Sequence, residues 1–107
     1  RGNRIRPRDL VEVLLQAKRS FPTFSEYLSG LSIAGQDGTL KKRMLNTSGA
    51  GWIRAKTGNL SGVVALAGYA GRRDGGTRAF VFIFNGKSDL GERARHLFDR
   101  LAVELVK

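Results

Sequence analysis

Apolar residues follow two different periods along this chain. Leu10, Val13, Leu14 and Ala17 share one face of a 3.6-residue repeat. Pro7 stands just before them, where its missing N–H costs nothing in a first helical turn. The pattern stops near Arg19-Ser20, and Pro22 can open a second, short helix carrying Phe24 and Leu28. Ser29 to Gly38 reads as a glycine-punctuated loop ending in Asp37-Gly38-Thr39, with Thr39 as a helix cap. Leu40 to Leu45 reads as one helical turn with Lys41, Lys42 and Arg43 in solvent, and Asn46 to Gly51 as a turn-rich connector.

After Gly51 the period changes to two. Trp52, Arg54 and Lys56 fall on one side of a strand, and Ile53, Ala55 and Thr57 on the other. Gly58 to Gly62 reads as a tight turn. Val63 to Ala70 and Ala79 to Phe84 are apolar on both sides, and Arg72-Arg73-Asp74-Gly75-Gly76 between them is a hairpin signal. Strands apolar on both sides imply a sheet covered on both sides. Asp89 opens a last helix, with Glu92 three residues on as an approximate capping box. Its apolar stripe is Leu90, Ala94, Leu97, Phe98, Leu101 and Leu105.

The expected class is therefore α/β of the α+β kind, an antiparallel sheet with helices on both faces. Three segments make one partial domain: helices and loops over 1–50, strand and hairpin over 51–86, and a closing helix over 87–107. The Lys56 strand is expected at the sheet edge.

Composition narrows the function. A chain of 107 residues that is 41% hydrophobic can bury a core. Its longest apolar run, Val63 to Ala70, is far short of the ~20 residues that span a bilayer. With no cysteine there is no disulfide and no thiolate metal site. The single histidine, His96, lies beside the last helix's stripe and argues against a Ser-His-Asp triad or a His-rich metal site. No metal and no cofactor is expected. Nineteen Lys and Arg against nine Asp and Glu give a net charge of +10, which favours anionic partners.

Nucleic acid is disfavoured among them. Setting Ala79-Phe80-Val81 on the core of the RNA-recognition signature leaves Gly76, Thr77, Arg78 and Ile83 at positions that fail it. Phe80, Phe82 and Phe84 are better explained by packing under a helix. The rival to an enzyme is a basic binding module for anionic polymer or nucleic acid, whose affinity would fall steeply with salt and not depend on Lys56.

The strongest local signal is Lys56-Thr57-Gly58 at a strand end. A nucleotide P-loop is rejected, because Ala50 and Ala55 hold its required glycine positions. An open strand edge instead offers backbone groups to an extended peptide. Lys56 adds a charge, Thr57 a hydroxyl that can bind a carboxylate, and Gly58 removes a side chain that would block the approach. Lys-Thr-Gly is one of three motif elements of penicillin-binding proteins and serine β-lactamases.

The longer run is more specific. Leu31-Ser32-Ile33-Ala34-Gly35-Gln36-Asp37-Gly38-Thr39-Leu40, then Ile53-Arg54-Ala55-Lys56-Thr57-Gly58-Asn59-Leu60-Ser61-Gly62-Val63, then Leu66-Ala67-Gly68-Tyr69, resembles the C-terminal part of the D-alanyl-D-alanine carboxypeptidase/endopeptidase family of low-molecular-mass penicillin-binding proteins. The resemblance covers nearly the whole chain. It implies the penicillin-binding fold and serine acyl transfer on the D-Ala-D-Ala end of peptidoglycan stem peptides, with β-lactams as the other ligands. It also implies an extracytoplasmic location. In that reading Lys56 is catalytic, supporting proton transfer and anion binding. Thr57, Gly58 and Asn59 bind substrate: Thr57 holds the terminal carboxylate, and the Asn59 N–H is an oxyanion-hole donor. The family commonly has Thr where Asn59 stands. Asn3 is a candidate second-motif residue.

No serine in the chain has a Lys three residues on, and no Ser-x-Asn occurs. The expectation is a C-terminal piece whose nucleophile lies before Arg1. Such a piece is inactive alone, pairs with the missing N-terminal segment, and self-associates through the apolar surface that segment would cover.

Overall fold

A computed structural model describes residues 6–20, 24, 28–60, 63–86 and 90–107. Helix α1 spans Pro7–Arg19, with Pro7 in its first turn after an extended Arg6. Asp9 in the first turn and Lys18 and Arg19 in the last match the helix dipole. Phe24, Leu28 and Ser29 have helical backbone, as expected of the second short helix, whose Pro22 lies outside the described residues.

Four strands follow in one antiparallel sheet of order β1-β2-β3-β4: Ser32–Ile33, Ile53–Leu60, Val63–Gly71 and Thr77–Asn85. Helix α2, Gly91–Val106, closes the chain. Asp89, the expected opener of this helix, lies outside the described residues; Leu90 takes the cap position.

Directly paired residues share a face, so the register assigns both faces. Ile53, Ala55, Val64, Leu66, Ala70 and Phe80 lie on one face and form a single core with Ala94, Phe98, Ala102 and Val106 of α2. Phe82 stacks on Phe80 at 5.0 Å between ring centroids and meets Phe98 at 5.5 Å. The phenylalanine strand thus packs under a helix. On the opposite face the Tyr69 hydroxyl donates to the Leu14 carbonyl at 2.6 Å, and the Tyr69 ring meets Phe24 edge-on at 5.4 Å. That pins α1 against the other side of the sheet.

Gly68 is fixed by crowding. A Cβ there would stand 2.1 Å from the Arg54 carbonyl oxygen and 2.6 Å from the Ala55 Cα. Only glycine lets β2 approach β3 so closely at this point.

Several expectations need correction. The loop over Ser29 to Gly38 contains β1, a strand too short for any periodicity to show. The helical turn expected over Leu40 to Leu45 is a three-residue 3-10 turn that starts two residues earlier, Gly38–Leu40. Thr39 lies inside that turn and does not cap it; Asp37 holds the cap position, and its carboxylate accepts the Ile33 N–H at 2.7 Å. Strand β2 runs to Leu60, through part of the expected turn. On α2 the inward stripe is Gly91, Ala94, Phe98, Ala102 and Val106, whereas Leu97 and Leu101 are 50% and 42% exposed. The small residues face inward because the sheet side is already filled by Phe80, Phe82 and Phe84.

Candidate active site

The site begins at the half-open edge of β2. In the sheet order β2 is flanked on both sides, which corrects the simple edge-strand expectation. Strand β1 pairs only with Arg54 and Ala55, however. Before Ser32 the chain turns away, the Leu31 N–H donating to the Leu28 carbonyl at 3.0 Å. From Lys56 to Leu60, β2 has no strand partner on that side among the described residues.

Antiparallel pairing then decides which backbone groups face the gap. The Gly71 N–H donates to the Trp52 carbonyl at 2.8 Å, so residue 52 bonds toward β3 and residue 53 away from it. Accordingly the Ile53 carbonyl accepts the Ala34 N–H on the β1 side, at 2.9 Å. By the same alternation, Thr57 and Asn59 turn their N–H and C=O groups to the open edge.

Lys56 and Thr57 point to opposite faces, and each opens on its own cleft. Lys56 is exposed on the α1 side, in a cleft of about 460 Å³ walled by Leu10, Val13, Leu14, Leu31 and Ala67. Apart from Lys56 that wall is apolar, and Val13 is 58% exposed in it. Thr57 is half-buried on the α2 side, in a cleft of about 310 Å³ with Thr39, Arg43, Gly58 and Arg95.

Gly58 is not demanded by the fold. It is not among the positive-φ residues, and a Cβ there would meet only the Ala65 Cβ, at an ordinary 3.4 Å. Asn59 pairs with Val64 through β2, and Asn3 lies outside the described residues.

The structure adds residues to this site that were not assigned to it from sequence. The Thr57 hydroxyl donates to the Thr39 hydroxyl at 3.1 Å. The Thr39 N–H in turn donates to the Ser32 hydroxyl at 3.2 Å. Gly38, at φ +60°, makes this possible, since a Cβ there would stand 2.1 Å from the Ser32 Oγ. Asp37-Gly38-Thr39 was the available signal; its meaning as a brace was hidden because Thr57 is distant in sequence. Arg43 and Arg95 add positive charge, each held by its own carboxylate: Arg43 by Asp99 in a fork of 2.7 and 3.2 Å, Arg95 by Glu92.

Beyond the far end of β3, Arg73 stacks over Trp52 at 4.8 Å. The carboxyl of Asp74 is held below the usual aspartate range, first by the Gly76 N–H and then by Arg72. No cluster of three potential metal ligands and no helix long and apolar enough to cross a membrane occurs among the described residues.

An antiparallel sheet between helices, with Lys-Thr-Gly on a free strand edge, defines the penicillin-binding class of fold. The profile of the D-Ala-D-Ala carboxypeptidase 3 (S13) family matches residues 1–104, and the chain belongs to that family. It is 39% identical to carboxypeptidase DacB of Mycolicibacterium smegmatis over 96% of this chain and 23% of that protein. It is 37% identical to a D-alanyl-D-alanine carboxypeptidase of an Actinomadura species over 100% of this chain and 20% of that protein. Penicillin binding protein 4 (dacB) of Haemophilus influenzae, solved with a β-lactam, superimposes with a TM-score of 0.82 at 30% identity, covering 100% of this chain and 27% of that one. The chain thus spans about a quarter of the length of the relatives it matches.

Proposed function

We propose that this chain is the Lys-Thr-Gly-bearing part of an extracytoplasmic serine D-Ala-D-Ala carboxypeptidase that trims peptidoglycan stem peptides. The observation that carries the proposal is the free edge of β2 from Lys56 onward, with a cleft on each face. An acyl-D-Ala-D-Ala end lies along that edge as an extra strand, bonded by the outward N–H and C=O groups of Thr57 and Asn59. Its terminal carboxylate meets the Thr57 hydroxyl. A serine supplied by an upstream segment attacks the penultimate carbonyl, and the leaving D-Ala takes a proton. The Asn59 N–H supports the oxyanion, with the nucleophile's own N–H as second donor. Water then hydrolyses the ester. Lys56 supplies positive charge beside the nucleophile and helps to move its proton. Gly58 keeps the approach clear.

The chain by itself lacks the nucleophile, since none of its serines has a Lys three residues on. The test is acylation by a fluorescent penicillin, followed by intact mass. The protein with its upstream segment should take one equivalent and the 107-residue chain none. A stoichiometric adduct on the chain alone, or none on the longer protein, would sink the proposal. Steeply salt-dependent binding of a polyanion, unaffected by Lys56→Ala and without acylation, would favour the binding-module reading instead.

A further inference from the structure

Asp37-Gly38-Thr39 is not used by the chemistry above, yet it is built against Thr57. Three hydroxyls stand in a row: Ser32 and Thr39 Oγ atoms are 3.5 Å apart, and those of Thr39 and Thr57 3.1 Å. The Ser32 and Thr39 half of the row is held by two further bonds. Asp37 ties the turn to the Ile33 N–H at 2.7 Å, and the Thr39 N–H is bonded to Ser32 at 3.2 Å. The positive φ of Gly38 brings Thr39 over Ser32 where any side chain would collide.

As it stands, Thr57 spends its only hydroxyl proton on Thr39. A Thr57 that is to donate to a carboxylate must turn that proton into the cleft. Its oxygen is then free to accept, and the Thr39 hydroxyl is the group within reach. Ser32 can donate behind Thr39 in turn. The whole row reverses by rotation of three C–O bonds, with no covalent bond made or broken.

We propose that Thr39 is a positioning residue: it fixes the Thr57 rotamer and, by reversing its hydrogen bond, turns Thr57 into a donor for an anionic ligand, a carboxylate. The inference rests on the carboxypeptidase reading for the identity of that ligand, but not for the positioning itself. The cleft suits an anion, since Arg43 and Arg95 line it. A hydrogen bond to a charged group strengthens when its donor oxygen itself accepts one.

Two measurements test it. In the isotope-labelled 107-residue chain, three-bond couplings to the Thr57 methyl report its χ1. One rotamer is expected in the parent chain and in Thr39→Ser, and averaging in Thr39→Val. A single unchanged rotamer in Thr39→Val overturns the positioning role. In the protein with its upstream segment, acylation is compared between a penicillin and its methyl ester. Thr39→Val should lower the preference for the free carboxylate by about tenfold, and Thr39→Ser should keep it. An unchanged preference in Thr39→Val overturns the donor-switch half. If the unsubstituted protein does not acylate at all, the carboxypeptidase reading fails, while the couplings still decide the positioning.

Discussion

Arg43 and Asp99 form a two-pronged ion pair, 56 residues apart in sequence, with both side chains more than four-fifths buried. It fastens the connector after the 3-10 turn to helix α2, behind the Thr57 cleft. A fork of this kind is stronger than an ordinary surface pair, because both partners are shielded and aligned. Asp99→Ala leaves the guanidinium without its acceptor. The expected loss is about 2 kcal/mol, seen as a lower denaturation midpoint with unchanged slope. A loss under about 0.5 kcal/mol would show the pair to be ornamental.

Gly58 and Gly68 should behave in opposite ways. Gly68→Ala drives a methyl onto the Arg54 carbonyl at 2.1 Å, so β2 and β3 must part. The expected cost is about 3 kcal/mol or more, with loss of strand signal in circular dichroism. Gly58→Ala puts its methyl at 3.4 Å from Ala65, which the fold accepts, and its melting curve should stay near the parent's. Its effect should fall on ligand access, as slower acylation in the longer protein. Equal stability losses in the two variants would remove the functional reading of Gly58.

Acid should weaken the hairpin after β3. The Gly76 N–H and Arg72 depress the Asp74 pKa below its unfolded value. A depressed carboxyl gives stability that is present above the unfolded pKa and lost as pH falls through the folded one. Asp74→Asn should therefore flatten the fall in stability at pH values below the ordinary aspartate pKa, about 3.9. Melting curves of the two proteins across that window check it; curves that stay parallel throughout would contradict the linkage.

What the sequence disclosed, and what it concealed, follows from range. The period-two alternation of β2, the runs of β3 and β4 that are apolar on both sides, and the Asp74-Gly75 turn between them are local and legible. Strand β1 was not, because two residues carry no period and its pairing with Arg54 and Ala55 is tertiary. The face of α2 was misread for a similar reason. Leucines outrank alanines on any hydrophobic scale, but Ala94 and Ala102 fit against the phenylalanines of β4 while Leu97 and Leu101 do not. At the site, Lys56-Thr57-Gly58 was visible as a motif. The brace of Ser32 and Thr39 was not, since a hydroxyl row across two strands and a 3-10 turn leaves no spacing rule to read.

Lys56 gives the sharpest division between folding and chemistry. Its side chain is exposed at the rim of the apolar cleft on the α1 face, so truncation opens no cavity in the core. Lys56→Ala should change stability by no more than roughly 0.5 kcal/mol, the usual range for surface positions. On the proposed function, the same change in the protein with its upstream segment removes a positive charge from beside the reacting groups. The expected cost is about 3 kcal/mol of transition-state stabilisation, or on the order of a hundredfold in acylation rate. Lys56→Arg should recover only part of that loss, because a planar guanidinium fork cannot occupy the place of a compact ammonium. The second-order rate with a fluorescent penicillin, measured beside a melting curve, separates the two effects. Acylation at the parent rate in the Ala variant, with an unaltered melt, would remove Lys56 from the active site.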